Sequence, residues 1–177
     1  MTRLATDRLD LVPLGRDHLA EYAALIAQPD VHRYLSAAKA IAADPAGQAE
    51  RIVDLAEQQW RERGYGPFAV FERAGGAFVG RGGLFWVERL KAVEINYMID
   101  PSAWGRGYAT ELAEAFLRFG FGRLGLARMV ATTNPDNAAS RRVLTKVGMT
   151  ADGQRDFGTH MVDFFRIDRS EWKGDPT

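Results

Sequence analysis

The segment Trp104-Gly105-Arg106-Gly107-Tyr108-Ala109-Thr110-Glu111 sets two glycines between an alternating apolar stretch and a stretch of helical period. Glycine lets a chain turn tightly and brings main-chain N–H groups close to a ligand. A helix that starts directly afterwards leaves its first N–H groups unpaired and adds the positive end of its dipole. Together these properties make a cradle for a pyrophosphate without a cluster of lysines. A bare Gly-x-Gly more often marks a strand-to-helix loop with no ligand, so the loop alone decides nothing. It is not Gly-x-x-x-x-Gly-Lys-Ser/Thr, which excludes a P-loop, and it lacks the third glycine of a dinucleotide fingerprint.

Other chemistry is bounded by what the chain contains. There is no cysteine, which excludes disulfides, thiol nucleophiles and thiolate metal sites. No serine sits in a nucleophile elbow, so nothing reads as an acyl-enzyme nucleophile. The three histidines, His18, His32 and His160, show no His-x-x-x-His or Glu-x-x-His spacing, and no metal is expected. His18 and His32 read as surface residues. His160, before the last strand, could titrate near neutral pH. Lys plus Arg equals Asp plus Glu at 23 each, which argues against a global electrostatic grip on nucleic acid or an acidic membrane. No run is apolar enough for a signal peptide or a membrane span, so a cytoplasmic location is the expectation.

The elements that would position this loop follow from periodicity. The 177 residues suit one domain, residues 1–177, with no repeat or linker. Arg8 to Val12 alternates and reads as a strand ended by Pro13. A helix runs from Asp17, its N-cap, with Leu19, Tyr22 and Ile26 on one face. Pro29-Asp30 breaks it, and Val31 to Leu35 reads as a short second helix. Asp44-Pro45 opens a third, with Ile52, Leu55, Ala56 and Trp60 as its buried stripe and Gly64 at its end. Strands follow at Phe68–Glu72 and Phe78–Val87, joined by a turn at Ala74-Gly75-Gly76. In Val93–Asp100, Val93, Ile95, Tyr97 and Ile99 share one face, and Glu94, Asn96 and Met98 the other. A helix over Tyr108–Phe121, a strand over Arg128–Thr133, a helix over Asn137–Val147 and a strand over Met161–Ile167 complete the chain. The order is β-α-α-α-β-β-β-α-β-α-β, an α/β class.

In this order the sequence resembles the GNAT superfamily of N-acetyltransferases, and most of all its RimJ/RimL-like, ribosomal-protein branch. The resemblance spans Thr6-Asp7-Arg8-Leu9-Asp10-Leu11, Pro29-Asp30-Val31, Glu94 to Ile99, Trp104 to Glu111, Asn134-Pro135-Asp136-Asn137-Ala138-Ala139-Ser140, Lys146-Val147-Gly148-Met149 and Glu171-Trp172. It implies a mixed, mostly antiparallel central sheet flanked by helices, in which Val93–Asp100 and Arg128–Thr133 form a splayed parallel pair. It implies acetyl-CoA as cosubstrate. Pantetheine would borrow main-chain hydrogen bonds around Met98 and Ile99, and pyrophosphate would rest on amides of Arg106 to Thr110. The cofactor-binding set it implies is Met98, Ile99, Trp104, Gly105, Arg106, Gly107, Tyr108, Ala109, Thr110, Asn134 and Asn137. Asn137 equally fits a helix N-cap. Trp104 stands where the superfamily commonly has Gln or Arg. A homodimer is plausible on the resemblance alone.

Acetyl transfer to an amine requires a neutral nucleophile, a polarised carbonyl and a proton for the departing thiolate. Glu94 is the best candidate for the base, acting through water, and fits a salt-bridged strand glutamate equally well. An N–H near Met98 would polarise the carbonyl. Many members of the superfamily place a tyrosine where this chain has Leu144. The RimJ/RimL-like branch offers a serine one turn earlier, here Ser140, on the same helix face; a serine bonding back to a helix carbonyl is the simpler alternative. Arg141-Arg142 could meet an adenosine phosphate, although a solvated helix face is commoner. Trp60, Tyr65, Phe85 and Trp86 could line an acceptor pocket or belong to the core. The expected acceptor is a primary amine, either a protein N-terminal α-amine or a small molecule. The rival expectation is a non-catalytic acyl-CoA-binding regulatory module, which would need neither Glu94 nor Ser140.

Overall fold

The computed structural model describes residues 2–158 and 160–175. Eight strands, β1 (Leu4–Ala5), β2 (Leu9–Pro13), β3 (Pro67–Glu72), β4 (Phe78–Val87), β5 (Ala92–Ile99), β6 (Arg128–Thr133), β7 (Thr150–Asp156) and β8 (Met161–Asp168), form one sheet. Their spatial order is β1-β2-β3-β4-β5-β6-β8-β7. The β5–β6 pair is parallel and every other pair is antiparallel. Six helices, α1 (Leu19–Ala27), α2 (Pro29–His32), α3 (Ala38–Ala43), α4 (Pro45–Arg63), α5 (Tyr108–Arg118) and α6 (Ala138–Lys146), flank it.

The expected alternation in β5 sorts its residues between two cores. Val93, Ile95 and Ile99 pack with Leu112, Phe116 and Leu117 of α5 and with Leu144 of α6. Met98 joins the cluster of Tyr22, Leu25 and Ile26 of α1 and Ala49, Val53 and Ala56 of α4 on the other face. Fully burying such side chains stabilises the fold by roughly 1.5–3 kcal/mol each.

Several details differ from the sequence expectation. Strand β1 is two residues long, too short for a periodic signal. Strand β7 is exposed throughout and reads Thr-Ala-Asp-Gly-Gln-Arg-Asp, so it has no apolar face to betray it. Pro29 occupies the first turn of α2, where its missing N–H is no loss. Asp17 lies inside a 3₁₀ turn that precedes α1 and does not cap the helix. The buried side of α4 runs Ala49, Val53, Ala56 and Gln59; Leu55 is 40% exposed. Helix α5 ends in a wider π-type turn over Phe119–Arg123.

One tether joins the sheet edge to the start of α5. Glu111 accepts from the Thr6 hydroxyl (2.5 Å), the Arg8 main-chain N–H (3.0 Å) and Arg8 Nε (2.7 Å). Burial pushes the Glu111 carboxyl up, but those hydrogen bonds and the Arg8 charge outweigh it and hold its pKa below the ordinary value. A depressed folded-state pKa contributes stability that is present above the unfolded pKa and lost as pH falls through the folded one. Glu111→Ala should lower stability by about 1–3 kcal/mol near neutral pH. The gap from wild type should narrow on acidification below the ordinary glutamate range, as urea denaturation at the two pH values would measure.

Candidate active site

Although parallel, β5 and β6 share a single bridge, Glu94 opposite Val130. Thr132 lies two residues further along β6, so its N–H points the same way as that of Val130 and would find a β5 carbonyl if the ladder continued. It donates instead to Glu94 Oε1 at 3.1 Å, and the Thr132 hydroxyl donates to the same oxygen at 2.5 Å. The Glu94 side chain therefore closes the vertex of a V-shaped gap and satisfies an N–H that the divergence would strand. Glu94 is 9% exposed. Burial pushes its carboxyl pKa up; the Thr132 hydrogen bonds and the Arg81 and Arg89 charges oppose this, and the net direction is upward.

The other sheet face carries two hydroxyls. Tyr97 reaches from β5 to α6, its hydroxyl 3.1 Å from Ser140 Oγ and 3.4 Å from the Ser140 carbonyl oxygen. Burial raises the Tyr97 pKa to about 12 against the opposing hydrogen bond from Ser140. Ser140 is held by its own N–H, which donates to Asn137 Oδ1 at 3.0 Å, so Asn137 is the N-cap of α6. Asn134 shapes the approach: its side-chain oxygen accepts from Asp136 N at 2.9 Å and its carbonyl from Asn137 N at 2.9 Å. Leu144, one turn on, is core. Tyr108 points elsewhere, its hydroxyl donating to Glu72 Oε1 at 2.7 Å.

The gap side of β5 is narrower in function than the sequence implies. A Cβ built on Gly80 would lie 2.2 Å from the Met98 carbonyl oxygen, so that carbonyl faces β4. The Asp100 N–H likewise donates to Val79 O at 2.9 Å. Alternation turns the peptide groups of Tyr97 and Ile99 toward the gap. The Ile99 carbonyl already accepts from the indole N–H of Trp104 at 2.8 Å. Trp104 thus clamps the end of β5 to the loop.

The loop itself turns through Gly105 at φ 76° and Gly107 at φ 82°, both left-handed, and Gly107 is the N-cap of α5. The first-turn N–H groups of Tyr108, Ala109 and Thr110 follow directly. Two guanidinium groups flank them. Arg8 Nη1 donates to the Arg106 carbonyl at 2.8 Å, and Arg8 lies 4.8 Å from the Tyr108 ring centroid. Arg106 pairs with Glu72 and likewise lies 4.9 Å from the Tyr108 ring centroid. The part played by Arg8 was not read from the sequence, because it comes from a segment 98 residues away. Residues with apolar or helical alternation announce themselves; a long-range ion pair does not.

Among the aromatics considered for an acceptor pocket, Tyr65 belongs to the α5-side core and Trp60 and Trp86 pack against it. Phe85 alone lies opposite Glu94 in the β4–β5 register. Arg141 and Arg142 line an open groove between α6, β7 and β8, and Arg141 pairs with Asp163 at 3.5 Å. His160 adjoins the Phe157 ring at 6.1 Å.

A family model described as the acetyltransferase (GNAT) domain matches residues 8–150. The chain belongs to the GNAT acetyltransferase family. It is accordingly an acetyl-CoA-dependent N-acetyltransferase. It is 35% identical to the uncharacterized protein YkkB of Bacillus subtilis, over 84% of this chain and 85% of that one. It is 32% identical to the FsC-acetyl coenzyme A-N(2)-transacetylase of Aspergillus fumigatus over 83% of this chain, which spans 64% of that relative. Its fold is similar to that of RimL, a ribosomal L7/L12 alpha-N-protein acetyltransferase in complex with coenzyme A. The TM-score is 0.78 and the identity 18%, covering 94% of this chain and 98% of RimL. Among the described residues no helix is long and apolar enough to cross a membrane.

The GNAT loop generates a direct test. A side chain at Gly107 must adopt left-handed backbone, costing about 1–2 kcal/mol for a non-glycine residue, and a β-branched one would also crowd the first-turn N–H groups. Gly107→Val is expected to raise the dissociation constant for CoA at least tenfold, on the order of 1.4 kcal/mol, in a chain that remains folded. Titration calorimetry with circular dichroism as the fold control measures both.

Proposed function

We propose that this enzyme transfers an acetyl group from acetyl-CoA directly to a primary amine within the β5–β6 gap. The observation that carries this reading is the placement of a carboxylate at the vertex on one sheet face and a hydroxyl pair on the other. Acetyl-CoA supplies a thioester carbonyl that is open to attack by an amine. The chain supplies the rest. The left-handed turn at Gly105 and Gly107 and the N–H groups of Arg106 to Thr110 fit a pyrophosphate, with Arg8 and Arg106 beside it. The N–H of Ile99 and the peptide groups of Tyr97 offer the strand hydrogen bonds and the carbonyl-polarising donor, in place of the main-chain groups expected from Met98, which face β4. The amide nitrogen of Asn137 is left for the pantetheine arm, since its oxygen caps α6.

Glu94 removes a proton from the incoming ammonium, directly or through one water, using the carboxylate oxygen that Thr132 leaves unbonded. The new C–N bond forms as the C–S bond breaks. Ser140 hands a proton to the departing sulfur and recovers one through its hydrogen bond with Tyr97, which regains its own from solvent because its resting form in the neutral range is protonated; the acetylated nitrogen releases its second proton to solvent, so the protons balance. The N(2)-transacetylase and the alpha-N-protein acetyltransferase, both similar to this chain, are named for N-acetylation of different acceptors. That supports the shared chemistry and leaves the acceptor to this chain's own residues.

Glu94→Gln tests the base. Glutamine still accepts both Thr132 hydrogen bonds, so the vertex holds, but it takes no proton. Turnover should fall about 10²–10⁴-fold. The loss should be largest between the titration of Glu94, above the ordinary carboxylate range, and that of the amine, and it should shrink as free amine accumulates. A loss independent of pH in kcat/KM profiles would remove Glu94 as base.

Ser140→Ala and Tyr97→Phe test the proton path. Each should slow single-turnover transfer by up to about 100-fold without weakening acetyl-CoA binding. The double variant should be hardly slower than either single one, because the two hydroxyls act in series. Additive losses would separate them.

A further inference from the structure

On the sheet face that carries Glu94 lies a buried cation that forms no ion pair among the described residues. Arg81 of β4 is 5% exposed. Among the described residues its guanidinium makes one hydrogen bond, from Nη1 to Asn96 Oδ1 at 2.5 Å. Its Nε is buried with no hydrogen-bond partner. No carboxylate among the described residues forms an ion pair with it, although twelve such pairs occur elsewhere. The guanidinium lies 4.6 Å from the Phe85 ring centroid and 5.7 Å from that of Tyr22. Aromatic faces attract a cation only weakly compared with the hydration it has given up. Buried charges are ordinarily paired, so the missing partner needs an explanation.

The position of the guanidinium supplies one. Arg81 stands opposite Met98 in the β4–β5 register, yet its head group reaches along the strand to Phe85, which stands opposite Glu94, and to Asn96, two residues from Glu94. Its charge is felt at Glu94, as is that of exposed Arg89. Asn96 is half-buried, so the guanidinium edge that it touches borders the uncovered part of the sheet face. A base and a buried fork of N–H donors thus share one face of the sheet, close enough for the charge of one to act on the other. Guanidinium matches a carboxylate in planarity and donor spacing.

We infer that Arg81 binds a carboxylate of the acceptor, so that the amine acetylated beside Glu94 belongs to an amino acid or a similarly small amino-carboxylate. This rests on the acetyl-transfer reading above. An amine and a carboxylate a few bonds apart would occupy the two positions together. A polyamine would instead meet Arg81 and Arg89 with like charge.

The test compares each of the twenty α-amino acids with its α-carboxamide as acceptors, measured by CoA thiol release. Wild type should favour at least one amino acid over its amide by about 100-fold or more in kcat/KM, the scale on which a buried charge pair discriminates. Arg81→Gln should erase that preference by slowing the amino acid far more than the amide, whose rate changes only through the altered charge beside Glu94. Arg81→Lys, which keeps the charge and loses the fork, should fall between and serves if the Gln variant folds poorly. A binding arm is independent of turnover: with CoA present, N-acetyl amino acids should raise the wild-type melting temperature and leave that of Arg81→Gln unmoved. Equal acetylation of acid and amide, or an Arg81→Gln variant that slows both alike, overturns the assignment while leaving acetyl transfer standing. Absence of thiol release with every amine overturns the transfer reading, and the melting shift then still decides whether Arg81 takes a carboxylate.

Discussion

The site depends on a single parallel bridge. A sheet that kept β5 and β6 paired along their length would be the better sheet and would have no room for a ligand. Divergence creates room but leaves the half-buried Thr132 N–H without a strand partner. Glu94 resolves this by lending a side-chain oxygen to the main chain of the neighbouring strand. The carboxylate proposed to act on the amine is thus also the group that makes the gap tolerable. That dual use explains why its charge is carried in a buried position, where ionisation is disfavoured and basicity is correspondingly raised.

Most of the fold was legible because the central strands and the long helices repeat at the periods their surroundings demand. The residues of β5 split between two cores as their alternation implies, and the glycine pair before α5 adopts the left-handed turn that its composition allows. What escaped notice was of three kinds. Strand β7 is polar on both faces, so its pairing with β8 left no apolar trace. The stripe on α4 shifted because Ala49, Val53 and Gln59 are buried with Ala56 while Leu55 is exposed. The contacts of Arg8, Arg81 and Tyr97 depend on which side chains meet across the fold, which no local pattern encodes. Arg81 did leave a clue: it is the one charged residue of β4, set among Gly80, Gly82 and Gly83 in a strand that is otherwise apolar.

The two sides of the gap have opposite electrostatic temper. Toward α6, neutral hydroxyls meet, and burial keeps Tyr97 protonated well past physiological pH. Toward α1, a carboxylate sits near two guanidinium groups. An acyl donor approaching over α5 and α6 and a polar acceptor approaching from the opposite face would each meet the chemistry it needs, with the vertex between them.

The tether of Thr6 and Arg8 to Glu111 has a temporal side. Its partners are separated by 105 and 103 residues, so during synthesis the N-terminal strands emerge long before the helix they brace. Until β3 appears, β2 has nothing but the two-residue β1 to pair with. Contacts of such sequence separation form late, after the loop-closure entropy of the intervening chain has been overcome. The loop at Gly107 therefore acquires Arg8 only near the end of folding, and the phosphate site proposed there would be a property of the finished chain and not of its C-terminal half alone.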